Sequence, residues 1–386
     1  MLYRCYDEIV RGESMEDTFE TIKERYREII EGLGLTLSLE DEFARIKNAF
    51  LAKAGKDYAA SRGEYLNGII LAEYLGFDFI DAAEVIFFHD DGTYDAERTN
   101  TVLKGVLSRH THAVIPGFYG SMPNDTIKTF SRGGSDITGS IIARAADATL
   151  YENWTDVSGF LMADPRVVPS PRVIETITYR ELRELSYMGA TVLHEDAIFP
   201  VQFAGIPINI RNTNRPEDPG TMIVSATDRY DTKNIITGIA GKKGFTVIGI
   251  EKDMMNAEIG FARRVLSVFE EQKLSFEHLP SGIDTMSVVV KKAEIADKRE
   301  QLLNGICKAV TPDSVSIEED MALIAVVGRA MVKAKGVAAR VFSAIAKAEV
   351  NIRMIDQGSS ELNIIIGVNE DDFERAMNAI YSEFIH

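Results

Sequence analysis

Through residues 1–60 apolar side chains recur at three- and four-residue intervals, the repeat of amphipathic helices. Asp17–Glu31 and Glu40–Ala54 show it most clearly, so this region is predicted helical. The pattern then shortens. SRGEYLNGIILAEYL (61–75) reads as a loop followed by a helix, Phe77–Asp81 and Val85–Phe87 as strands, and Arg98–Leu107 as a helix. Ala113–Ile115 reads as a strand entering the loop PGFYGS. A helix at Asp136–Ala146, a strand at Ala148–Trp154, a helix at Tyr179–Tyr187 and a strand at IPINIRN (206–212) continue the alternation. Strands alternating with helices predict an α/β class: a mostly parallel sheet with helices on both faces. Functional loops then gather at the carboxyl ends of the strands.

The pattern changes after Pro219-Gly220-Thr221. Residues 225–234 are polar and read as a linker. Beyond them, Gly260–Val290 matches Gly336–Ile366 without a gap: GFARRVLSVF aligns with GVAARVFSAI, and Gly282 with Gly358, each at a turn between strands. Such self-similarity predicts a duplicated small domain. Each copy reads β-α-β-β-α. The first gains a further strand from Val315–Ile317, whereas the second runs out of chain after its last helix. An unfilled sheet edge exposes unpaired backbone groups. Ile235–Ala240 is therefore expected to fill that edge, which inserts the first copy into the second. The predicted organisation is a domain at 1–225, a linker and lent strand at 226–242, and small domains at 243–319 and 320–386.

The length of 386 residues suits two or three domains. The net charge of −17 argues against nucleic acid and against an anionic membrane surface, both of which need a basic face. Cys5 and Cys307 fall in different domains, so no disulfide framework is expected and a reducing cytoplasm fits. Cys307 is expected to be buried, and Met254 and Met255 to fill core gaps. There is no CxxC or HExxH and the histidines are scattered, which argues against a metal held by protein ligands alone. His110 and His112 read as turn or surface residues. No apolar run reaches the roughly 18 residues of a membrane span, and MLYRCYDEIVRGESMED lacks a signal-peptide pattern.

Candidate chemistry concentrates in TFSRGGSDITG (129–139) and WTDVSGFLMADPR (154–166). The first packs hydroxyls, a glycine pair, Arg132 and Asp136 into a turn that opens a helix. Asp136 suits an N-cap, and a capped helix start also binds anions. Arg132 is either a surface cation or a planar fork for a carboxylate. Glu64 suits the first turn of a helix. Thr155 and Asp156 suit a turn at a strand end, and Asp164-Pro165-Arg166 is a turn set by proline. Phe160 reads equally as core. No glycine-rich phosphate loop with a lysine precedes these segments.

The ordered set SRGEYLNG, IPGFYGS, TFSRGGSDITG, WTDVSGFLMADPRVV and MGATVLHEDAIFP resembles the aspartokinases of the amino-acid-kinase fold, and the repeats resemble their ACT regulatory domains of βαββαβ type. The resemblance implies ATP- and Mg²⁺-dependent phosphorylation of L-aspartate to 4-phospho-L-aspartate, toward lysine, threonine and methionine. It places Asp136 beside the transferring phosphoryl group. Arg132 would grip the substrate α-carboxylate with Gly133, Gly134 and Ser135, and Glu64 would pair with its ammonium. Thr155, Asp156, Phe160 and Arg166 would face the nucleotide. So would Thr191, which stands where the family usually has lysine; His194 nearby reads as structural. Gly260, Phe261 and Ala262 would hold the carboxylate of an amino-acid effector, lysine first and threonine second, with Glu277 meeting its amine. A cytoplasmic homodimer through the ACT units is implied, and a tetramer is compatible. The family opens with a strand and a phosphate-cradling KFGGS turn, which this chain does not show. From that departure a less stable kinase domain and a partly open phosphate pocket are expected. The alternative expectation is a non-catalytic, amino-acid-sensing subunit.

Overall fold

The structure, a computed structural model, describes residues 1–131, 133–189, 198–225 and 234–385. In chain order the elements are α1 (Leu2–Val10), α2 (Glu16–Gly32), α3 (Glu40–Leu51), α4 (Lys56–Leu75), β1 (Asp78–Phe79), α5 (Ala82–Val85), α6 (Ala96–Leu107), β2 (Ala113–Val114), β3 (Tyr119–Ser121), β4 (Ile127–Thr129), α7 (Gly134–Ala145) and β5 (Tyr151–Thr155). There follow β6 (Thr176–Thr178), α8 (Tyr179–Tyr187), α9 (Phe199–Ala204), β7 (Ile208–Asn212), β8 (Thr221–Val224) and β9 (Gly238–Glu251). The last are α10 (Phe261–Glu271), β10 (Thr285–Lys291), α11 (Lys292–Ile295), α12 (Arg299–Val310), β11 (Ser314–Val327), α13 (Val337–Lys347), β12 (Met354–Asp356), β13 (Asn363–Asn369) and α14 (Phe373–Phe384). Two compact units emerge, Met1–Trp154 with Leu193–Asn209, and Thr155–Val192 with Ile210–His386. A four-stranded sheet runs β5-β7-β8-β6.

In the first unit, Phe19 of α2 meets Phe43 and Phe50 of α3 edge-on, at 6.3 and 6.4 Å between ring centroids. The SRGE segment is not the expected loop: α4 runs unbroken through it. Ser61, Arg62, Tyr65, Leu66, Gly68 and Ile70 are all buried, so α4 is enclosed on several sides and shows no single apolar stripe. That erased the periodicity on which its start was read. The strand expected at Val85–Phe87 is also absent. Asp81 instead caps the short α5 by accepting from the Ala83 N–H, and Phe87 makes an isolated bridge to Ser121. The pair β1–β2 is parallel and β3–β4 antiparallel.

In the second unit, the repeats share one antiparallel sheet of order β10-β9-β11-β13-β12. Its two central strands span 14 residues each. The start of β9, Gly238–Lys242, pairs with Leu323–Val327 beside the second repeat. The later part, Phe245–Glu251, pairs with β10, and its Val247–Glu251 with Ser314–Glu318 beside the first. Between the halves the register of β11 shifts at Glu318–Leu323, where Asp320 takes a left-handed φ of 57°. The strand expected ahead of the turn at Gly282 is present only as isolated bridges of His278 and Ser281 to β10. Cys307 is exposed rather than buried. Met255 fills the core at 8% exposure, but Met254 stands 70% exposed.

Glu181 of α8 organises this unit. It is fully buried, and Thr178 completes a capping box with it. Its carboxylate also accepts from Thr237 Oγ1 at 2.5 Å, from the Arg329 N–H at 2.9 Å and from Arg329 Nη1 at 2.8 Å. Burial alone would raise its pKa; the hydrogen bonds outweigh that and lower it. Three chain segments are thus tied to one carboxylate. Arg329→Ala strands a buried charge and is expected to destabilise the chain by about 3 kcal/mol. Urea unfolding checks this, and an unchanged midpoint contradicts it.

Candidate active site

The start of α7 is built from glycine. Gly133 caps the helix at a left-handed φ of 57°. A Cβ on Gly134 would lie 2.5 Å from Phe118 Cβ and 2.9 Å from Phe118 Cα, so only glycine permits this approach. A Cβ on Gly117 would likewise sit 3.1 Å from Ser135 Cα. IPGFYGS and TFSRGGSDITG, joined through the β3–β4 hairpin, therefore touch backbone to backbone. Phe118 itself holds a φ of 62°, a region that bulky side chains avoid. Its N–H donates to Thr138 Oγ1 at 3.0 Å and its carbonyl accepts from the Phe130 N–H at 2.9 Å, which hold it there.

Asp136 lies in the first turn of α7 rather than at the expected N-cap, a place taken by Gly133. Asn153 Nδ2 donates to its Oδ1 at 2.9 Å, and Tyr151 Oη donates to its backbone carbonyl at 3.2 Å. Along β5, Tyr151 and Asn153 alternate with exposed Glu152 and Trp154. Burial pushes the Tyr151 phenol up to about 12, so it stays protonated and can donate. A Cβ on Gly139 would come within 2.6 Å of Tyr151 Oη, so the glycine admits the ring. One Asp136 oxygen is thus fixed, while Oδ2 has no protein partner among the described residues. Ser135 is exposed at the same helix start.

Glu64, on α4, lines a cavity of about 560 Å³ together with Arg25, Tyr26, Asn67 and Phe118. Desolvation raises its carboxyl pKa even though the side chain reaches solvent. Tyr26 Oη donates to the Gly63 carbonyl at 3.1 Å and holds that turn of α4. Phe118 is therefore common to both features: it packs on Gly134 and shares a cavity with Glu64. Arg132 lies outside the described residues.

The second unit carries the nucleotide-side expectations. Thr155 Oγ1 is 3.3 Å from Asp156 Oδ1, at the end of β5, and Asp156 is exposed. Arg166 is exposed, with its guanidinium bound back to Asp164 at 3.0 and 2.7 Å. Phe160 is a correction: at 1% exposure, with its N–H on Thr221 Oγ1, it is core and has no surface to offer a base. Thr191 and His194 lie outside the described residues. Among the described residues no group of three His, Cys, Asp or Glu could hold a metal ion, and no helix is long and apolar enough to cross a membrane.

Comparison with known proteins decides the family. The amino acid kinase family model matches residues 16–212, and an ACT domain model matches 324–384. Aspartokinase 3 of Bacillus subtilis is 37% identical over 100% of this chain and 87% of its own length. The aspartate kinase of Clostridium acetobutylicum superposes with a TM-score of 0.90 at 54% identity, covering 99% of this chain and 88% of that one. This chain belongs to the aspartokinase family. E. coli aspartokinase III, solved with aspartate and ADP, shares the fold at a TM-score of 0.69 and 23% identity.

For an aspartokinase, the residues that sequence reasoning missed are Asn153, Tyr151 and Phe118. Asn153 had a readable signal: a polar residue at the inward phase of a strand needs a partner. The strained φ of Phe118 had none.

At the ACT end, Gly260 is left-handed and opens α10, and Ala262 is exposed. Two effector expectations need correcting. Phe261 is core at 4% exposure, with its N–H already on the Glu258 carbonyl. The Glu277 side chain is only 5% exposed and pairs with Lys291 at 3.1 Å, so it is not free to receive an amine.

Asn153→Ala releases the Asp136 carboxylate and is expected to lower kcat by about a hundredfold with little change in melting temperature. Steady-state kinetics check this, and an unchanged kcat contradicts the anchoring role.

Proposed function

We propose that the chain transfers the γ-phosphoryl group of ATP to the β-carboxylate of L-aspartate, giving 4-phospho-L-aspartate and ADP. The observation that carries this reading is Asp136, held through one oxygen by Asn153 at a glycine-built helix start, with no partner for its second oxygen among the described residues. A substrate β-carboxylate has a pKa of about 3.9 and is ionised at neutral pH, so no general base is required. Its oxygen attacks the γ-phosphorus, and the bond from that phosphorus to the bridging oxygen of ADP breaks. The protein's task is then positioning and charge neutralisation.

The backbone of Gly133, Gly134 and Ser135 suits an anion at a helix N-terminus, with Arg132 as its side-chain cation. Glu64 receives the substrate ammonium. Thr155, Asp156, Arg166 and Thr191 are assigned to the nucleotide side. The described residues fit Mg²⁺ only sparsely, through a carboxylate such as Asp136, with phosphate oxygens and waters supplying the other ligands. Bound there, the ion would neutralise phosphate charge.

The ACT pair is assigned to an amino-acid effector, lysine first and threonine second, at the α10 start near Gly260 and Ala262. T-state E. coli aspartokinase III has been solved in complex with lysine and aspartate. Homodimerisation through the first ACT unit is supported by Ile259, Met254 and Ile283, which stand 96%, 70% and 69% exposed. Free cysteines support a cytoplasmic setting.

The test is formation of aspartyl hydroxamate by the purified chain with L-aspartate, MgATP and hydroxylamine. Hydroxamate is expected, and Asp136→Ala is expected to lower it by about a thousandfold. Hydroxamate at an equal rate in the Asp136→Ala chain contradicts the assignment. None from folded wild-type protein favours a sensing subunit.

A further inference from the structure

Arg62, two residues before Glu64, is 5% exposed. Its guanidinium carbon lies 4.6 Å from the ring centroid of Tyr58, 4.4 Å from that of Tyr65 and 5.3 Å from that of Tyr119. Its Nε and Nη2 donate to Ser61 Oγ at 3.1 and 3.0 Å. It forms no ion pair with a described carboxylate. The compensating charge arrives one ring further out. Tyr65 Oη donates to Glu42 at 2.8 Å, and Tyr119 Oη donates to Asp81 at 2.7 Å. Burial raises the pKa of all three phenols, so they stay protonated. A buried cation without a partner is costly, and three aromatic faces, two of them tied to carboxylates, offset that cost.

The cage joins α4, which carries Glu64, to β3, whose first residue Tyr119 follows Phe118. Glu64 and Phe118 line the same cavity. Residues two apart on a helix point about 200° from one another, so Arg62 faces the cage while Glu64 faces the cavity. The guanidinium therefore cannot touch what Glu64 holds, but it sets the rotation of α4 against the Phe118 loop.

We propose that Arg62 is a positioning residue for the substrate ammonium, its tyrosine cage holding Glu64 at a fixed setting opposite Phe118. The inference rests on the assignment of Glu64 to the ammonium. Lysine keeps the charge but loses the flat stacking of guanidinium on rings, and leucine loses both.

The experiment compares Arg62→Leu, Arg62→Lys, Glu64→Gln and the double variant Arg62→Leu/Glu64→Gln in the full chain. The readouts are KM for aspartate and for ATP, kcat and melting temperature. Arg62→Leu is expected to raise the aspartate KM about tenfold, with the ATP KM unchanged, and Arg62→Lys to recover part of the loss. Because both residues serve one contact, the double variant is expected to bind aspartate no worse than Glu64→Gln alone. An unchanged aspartate KM in Arg62→Leu overturns the proposal. So does a general loss in which both KM values and the melting temperature shift together and the double variant is additive. Where Arg62→Leu does not fold, Arg62→Lys carries the same expectation at smaller amplitude. An unchanged aspartate KM in Glu64→Gln overturns the Glu64 assignment and this inference with it. If Glu64→Gln raises that KM and Arg62→Leu does not, the inference alone fails.

Discussion

The close approach of Gly134 to Phe118 is the contact on which the catalytic half of this aspartokinase depends. Where a side chain would need 3 Å or more, the structure leaves 2.5 Å, and glycine alone fills it. Through that contact the start of α7 is set against a strained loop, and Phe118 of that loop lines the cavity beside Glu64. Asp136 and Glu64, on different helices, are thereby held by one backbone junction. The supports around it are polar and specific: Thr138 on the Phe118 amide, Asn153 on the Asp136 carboxylate, and Tyr151 on the carbonyl behind it. Arg62 in its tyrosine cage extends the same logic to the rotation of α4.

The second unit uses a different device. Its two ACT repeats have no separate sheets; β9 and β11 each run through both, and the register shift near Asp320 marks the passage from one to the other. A strand that precedes the first repeat completes the edge of the second. Glu181 fastens α8 to the segments that flank this sheet, Thr237 ahead of β9 and Arg329 after β11. A fully buried carboxylate with that many donors is a rigid junction, because losing any one donor leaves charge unsatisfied.

Helices with one exposed face were legible in the sequence. The range of α8 was read as it stands, and the duplication behind the shared sheet showed in the alignment of its repeats. Legibility failed where burial is uniform or where a contact is long-range. The beginning of α4 was misread as a loop because SRGE is enclosed on several sides. The short β3, β4, β6 and β8 carry too few residues for a period to register. Phe160 and Glu277 were given ligand roles from the resemblance, and the core claims the first while Lys291 claims the second. Asp136 and the glycine pair were readable because helix-start chemistry is local. The Asn153 anchor was not, since it depends on which strand lies beside α7.

The most direct test of the glycine junction is aspartate-dependent ADP release by the Gly134→Ala chain, with helix content followed by circular dichroism. Alanine suits the helix but not the 2.5 Å approach to Phe118. Release is expected to fall by about a hundredfold or more while helix content is kept. Release within about twofold of the unaltered chain would contradict the claim that this backbone contact sets the site.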